Sequence, residues 1–174
     1  ARQAALGGLV TVLSLTVAVD ASAQRGDGVC PSLRVPSGRV VLDDPLLAPA
    51  LADIRDPGAS AAELVAAESA CRASIGRASV SAYMCVGEVQ LRRQEFGSAR
   101  CHFHVAAELA SSRRGRRPAL QAEAYIGEAD ALVAQAQGSS GELARGPLRD
   151  AETAYSNAIR ISSSASLLLR RANV

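Results

Sequence analysis

Few residues of this chain are equipped for chemistry. It has two histidines, four cysteines and a scatter of carboxylates, and the densest grouping is Cys101-His102-Phe103-His104. Thiolate and imidazole together invite a metal or haem reading, but the spacing argues against both. Histidines two apart on a helix point to opposite sides, whereas a two-histidine helical site uses i, i+4. The Cys-x-x-Cys-His run of haem attachment is missing. No G-x-S-x-G nucleophile turn occurs. No glycine-rich loop follows a strand either: Gly7-Gly8 lies in an apolar run, and Gly138-Ser-Ser-Gly141 lies between helical segments. Carboxylate pairs such as Asp43-Asp44 stand where helices open, and capping accounts for them. The expectation is a protein with no catalytic residue, metal or cofactor, and not an enzyme.

The elements around the Cys-His run are more informative. Residues 79–112 read as two helices joined by the turn Gln94-Glu95-Phe96-Gly97-Ser98. Gly87 sits in the first helix, Ala99 follows twelve residues later, Phe103 four after that and Ala106 three after that. The i, i+4, i+7 series Ala99, Phe103, Ala106 is one face of the second helix. Tyr83, Gly87 and Gln90 or Leu91 form the facing stripe. Gly and Ala at these points let the two backbones approach closely, and Phe103 fills the gap beside them. A second copy follows, with Gly127 answering Gly87 and Ala151, Tyr155 and Ala158 repeating the ladder. Its glycine-to-alanine spacing is 24 instead of 12, a surplus equal to residues 135–146, read as a flexible insertion in the turn. A half copy, Ala67, Cys71 and Ser74, precedes both and ends at Gly76.

This ladder of small and aromatic residues resembles the tetratricopeptide repeat, whose period is 34 residues. The likeness covers residues 60–174. It departs from the family in lacking Trp, in the insertion, and in having Ser111 and Ser163 where Pro is usual. The resemblance implies an all-α solenoid of helix hairpins whose first helices line a concave groove for a partner segment. Carried over by register with Gly87, the groove positions are Ser81, Met84, Glu88, Leu91 and Arg92. By register with Gly127 they are Gln121, Ala124, Glu128, Ala131 and Leu132. Met84 and Leu91 with Glu88 and Arg92 at the rim would make an apolar contact patch. The alternative is that Met84 and Leu91 are core and that Glu88 and Arg92 form an i, i+4 surface pair.

Start and stop signals place the other elements. Residues 24–56 read as an extended connecting arm with a short helix. Within it Leu33-Arg34-Val35 and Arg39-Val40-Val41 around Pro36-Ser37-Gly38 make a small hairpin or an extended lasso. Asp44-Pro45 opens the short helix, and Asp56-Pro57 opens a longer one to Ile75. Ser79 or Ser81 caps the next helix, to Gln94, and Gly97 or Ser98 opens another to about Ser112. Pro118 starts a helix that stops at Gly138, Pro147 starts one through Ile161, and Ser163 or Ser164 caps a last, incomplete one. Residues 57–174 are then a single helical repeat domain.

The N-terminus points to a membrane. Arg2, an uncharged run over residues 3–19 and Ala21-Ser22-Ala23 describe a secretory signal cut after Ala23. The other reading is a retained anchor over residues 3–23, close to the roughly 20 residues a span needs. Four cysteines, Cys30, Cys71, Cys85 and Cys101, fit an oxidising compartment and allow three pairings. Cys85 lies two residues from Gly87 and Cys101 two from Phe103, about 200° round a helix. Both therefore point away from the seam between their helices. That disfavours a Cys85–Cys101 bond, and the expectation is that the N-terminal segment folds back so that Cys30 or Cys71 reaches them.

Composition is 48% hydrophobic but 3% aromatic, so the core must be built from Ala, Leu and Val. A net charge of +2 is too small to argue for nucleic acid. Charge is uneven, though: residues 71–117 carry nine Arg against three Glu, with Arg113, Arg114, Arg116 and Arg117 clustered in a linker. That cluster fits anionic headgroups or an acidic protein surface, or else is a solvated loop. No aromatics interleave it, which argues against base stacking. Together these features lead to an expected non-catalytic interaction scaffold on the periplasmic side of a bacterial membrane. Its partners would be subunits of a larger membrane complex, with membrane contact through residues 3–23 if they are retained. The alternatives are a soluble exported adaptor or chaperone-like peptide binder with the signal removed, or a redox or metal protein using its Cys and His residues.

Overall fold

Proline and small capping side chains set where the helices begin. A computed structural model describes residues 30, 41, 44–112, 116–163 and 171–174, and these residues are all-helical apart from turns and one isolated backbone bridge. Asp44 caps a 3-10 turn (Pro45–Leu47) by accepting the Leu46 N–H at 3.2 Å, and α1 (Ala48–Arg55) continues from it. Next, α2 (Ala61–Ile75) opens on a reciprocal box in which Ser60 takes the Glu63 N–H and Glu63 takes the Ser60 N–H. The expected start at Pro57 was therefore four residues early. The Asp56 carboxylate is spent on a turn, holding the Gly58 N–H at 2.8 Å. Ser79 caps α3 (Val80–Arg92), and α4 is Phe96–Ser111.

The last two helices, α5 (Pro118–Gln137) and α6 (Glu142–Ile161), correct the insertion. Only residues 138–141 form a turn, with Gly141 at φ 60°. The rest of the surplus is helix, because Ala136, Gln137, Glu142, Leu143 and Ala144 are good helix formers and only Gly138-Ser139-Ser140-Gly141 breaks them. Each helix is 20 residues long, against 13 and 16 in α3 and α4. Pro147 falls inside α6 instead of opening it.

Short connections make consecutive helices antiparallel neighbours. Each packs on the next, and the odd helices also touch, α1 with α3 and α3 with α5. The domain boundary shifts accordingly. Leu47, Ala50 and Ile54 of the expected arm are buried in one cluster with Ala67, Cys71, Ala82, Cys85, Val86 and Val89. Helix α1 is thus the first member of the helical array, not part of a connector. The ladders are buried in all three hairpins: Ala67, Cys71 and Ser74; Ala99, Phe103 and Ala106; Ala151, Tyr155 and Ala158. A methyl group on Gly87 would lie 3.0 Å from the Phe103 ring, and one on Gly127 would lie 2.5 Å from it. Phe103 is therefore held between glycines of two successive hairpins.

The signal or anchor stretch 1–23, the arm's expected hairpin, Arg113, Arg114 and the Ser164 cap lie outside the described residues. No helix among the described residues is long and apolar enough to cross a membrane.

Candidate interaction surface

Helix α3 is buried almost all round, from Val80 to Val89 and Gln90. Its positions that reach solvent are Met84, Glu88, Leu91 and Arg92, one stripe at i, i+4, i+7 and i+8. Met84 rests against the cluster of Tyr83, Val105, Leu109 and Ala124, and Leu91 against Ala99, Phe103 and Ala131. Both side chains are partly core and partly surface, so neither sequence-level alternative alone describes them. Arg92 is exposed and donates from Nη1 to the Asp56 carbonyl at 2.8 Å, reaching towards α1. Glu88 lies between helices. Arg55 of α1 and Glu123 of α5 act on it along with Arg92, and burial raises its carboxyl above the ordinary range. Arg55 and Glu123 were missed from sequence, because they arrive from neighbouring helices and carry no local signal.

The α5 positions behave differently. Ala124, Glu128, Ala131 and Leu132 are buried, and Gln121 is half-buried. Helix α5 is packed by α4, α6 and α3 together, so a register that opens one face of α3 closes the matching face here. The Glu128 carboxylate meets His104 Nδ1 at 3.3 Å and Arg100 Nε at 3.9 Å, while Arg100 Nη2 lies 3.6 Å from Asp150. This charged cluster ties α4, α5 and α6 together. Contact with Glu128 raises the His104 pKa. His102 points the other way, as its spacing required. Its Nδ1 donates to the Ser98 carbonyl at 2.9 Å, its ring lies 6.0 Å from Tyr83, and burial lowers its pKa. Among the described residues no cluster of three His, Cys, Asp or Glu is arranged to hold a metal ion. Ser81 is buried and accepts the Asp44 N–H at 3.1 Å. Arg116 and Arg117 are exposed just ahead of α5.

The cysteines pair as Cys30–Cys101 and Cys71–Cys85, with Cα–Cα distances of 5.4 and 6.0 Å. Cys85 and Cys101 do not pair with each other, and the N-terminal segment does return to α4. The second bond staples α2 to α3. Two close cysteine pairs fit an oxidising, exported environment. Below Cys30 the arm is held again at Val41, whose N–H donates to the Ala78 carbonyl at 3.2 Å and whose carbonyl accepts the Val80 N–H at 2.9 Å. Asp44 then clamps it, its Oδ2 accepting from Arg77 Nη2 at 2.6 Å. Compared with known protein families, characterised proteins and solved structures, the chain matches none.

Proposed function

We propose that this chain is a non-catalytic scaffold of tetratricopeptide-like architecture that holds a segment of a partner protein against α3. One observation carries the reading: a helix otherwise buried all round leaves a single stripe open, Met84, Glu88, Leu91 and Arg92, with α1 and α5 beside it. The stripe combines apolar surface with charge at its edge, the composition of a contact patch. Stacked hairpins sharing Phe103, with odd helices meeting along one side, support the solenoid. The paired cysteines support export, and the apolar N-terminal sequence supports attachment on the periplasmic side of a bacterial membrane. The preferred role is an accessory subunit that stabilises a larger membrane complex. A soluble adaptor would use the same stripe, and intact mass separates the two. A chain isolated from its envelope that retains residues 3–23 fits the subunit, whereas one that starts at Gln24 fits the adaptor.

The surface test replaces Met84 and Arg92 with Glu and leaves Leu91 alone, because Leu91 packs on Phe103. Complexes recovered from native membranes in mild detergent should lose their partner, while the melting temperature stays within a few degrees of wild type. Undiminished capture by the folded double variant would refute the α3 surface.

A further inference from the structure

The two disulfides sit in very different surroundings. Cys71 and Cys85 are both fully buried, inside the cluster of Leu47, Ile54, Val86 and Val89. Any reagent reaching that bond must first part α2 from α3. Cys30 and Cys101 are both partly exposed, and their bond joins the arm to α4 across 71 residues of sequence. Their partners in space differ too. Cys71–Cys85 links two helices that pack along their lengths. Cys30–Cys101 adds a covalent tie to an arm already pinned further along, by Val41 on the turn before α3 and by Asp44 on Arg77 and Ser81. Loss of the Cys30–Cys101 bond therefore leaves α1 and every helix contact in place.

We propose that Cys30–Cys101 is a reducible tether, which a dithiol can open in the folded protein to release Cys30 from α4, while Cys71–Cys85 stays closed. In the step, one thiolate of the dithiol attacks a sulfur of the Cys30–Cys101 bond and displaces the other as thiolate. The second thiol of the reagent then resolves the mixed disulfide. Two electrons and two protons pass from the dithiol to the protein, leaving two cysteine thiols and an oxidised reagent. Access to the sulfurs governs which bond reacts, and a bond that opens without unfolding reacts ahead of one that waits for it. The physiological reductant is by class a protein dithiol of the exported compartment.

The test exposes the oxidised protein to graded dithiothreitol, quenches with an alkylating agent and maps the labels. Cys30 and Cys101 should label together, at least about tenfold faster than Cys71 and Cys85, with the helical circular dichroism unchanged. Labelling of Cys71 and Cys85 first, at the same rate, or only together with loss of helix would overturn the tether. Cys30→Ser gives a second measurement. It should fold with wild-type helical circular dichroism, and its Cys71–Cys85 bond should resist the dithiothreitol that opens Cys30–Cys101 in the wild type. Reduction of Cys71–Cys85 at that concentration, or failure of the variant to fold, would equally end the proposal.

Discussion

Phe103 packs against two successive hairpins at once. It fills the space that Gly87 and Gly127 leave, and each glycine has a measurable role. Replacing a helical Gly with Ala gains about 1 kcal/mol of propensity, set against an overpacking cost of about 1–3 kcal/mol. At Gly127 the added methyl would meet the ring at 2.5 Å, so Gly127→Ala should lower stability clearly in urea unfolding. At Gly87 the approach is 3.0 Å, so Gly87→Ala should come close to neutral. Phe103→Ala should cost about 3–5 kcal/mol. The histidines two residues apart should pull in opposite directions with pH. His104 is raised by Glu128, so its contribution is complete below the unfolded value near 6.5 and is lost as pH climbs through the folded value above it. Half its side chain is exposed, so the effect is small. His102 is lowered by burial, so stability falls as pH drops below about 6.5 towards its folded value. Melting temperature against pH should show His104→Gln flattening the alkaline side and His102→Gln the acid side. The spacing of these residues was legible in sequence, as were the two directions of the histidines. What the histidines face was not, because Glu128 and Tyr83 come from other helices.

At the level of single elements, helix ends obeyed their local chemistry where that chemistry was read correctly. Ser79, Pro118 and Gly138 marked boundaries as their side chains required. Helix α2 starts at the Ser60-x-x-Glu63 box and not at the Asp56-Pro57 pair, because the box satisfies two backbone donors at once. Ser60→Ala should cost about 1 kcal/mol. The end of α3 holds an opportunity. Gln94 has φ 61°, the Gln94 N–H reaches the Leu91 carbonyl at 3.1 Å and the Glu95 N–H reaches the Gln90 carbonyl at 2.8 Å. That is a Schellman ending with glutamine where glycine usually sits. A left-handed residue bearing a Cβ costs about 1–2 kcal/mol, so Gln94→Gly should raise the melting temperature. The lengthening of α5 and α6 escaped the sequence reading for a different reason. A matched surplus in two antiparallel helices extends a hairpin without disturbing its ladder, and spacing alone cannot separate that from a loop.

Across the whole molecule, periodic small residues carried the paired helices and their ladders into the sequence, and the directions of Cys85 and Cys101 carried only that these two do not bond to each other. The face of α5 was not legible, because its exposure depends on three neighbours and not on its own pattern. The same holds for α1, whose eight residues read as part of an arm until its burial against α2 and α3 is seen. Covalent links divide stability unevenly. The Cys71–Cys85 loop spans 14 residues and the Cys30–Cys101 loop 71, so unfolded-chain entropy alone assigns them about 3 and 4 kcal/mol. Urea unfolding of Cys30→Ser should show a loss of that order with its midpoint still sharp. The C-terminal hairpin has no disulfide among the described residues, and amide exchange should find α6 opening before α3. The Cys30–Cys101 bond also determines what happens when the molecule is pulled. Tension entering from the N-terminal side passes from residue 30 directly into α4 and bypasses α1, α2 and α3. About 240 Å of chain contour is thereby kept out of reach of the load. A chain held at its N-terminus and pulled from its C-terminal side would surrender its last hairpin first and keep its first three helices slack, until a thiol opened the shunt.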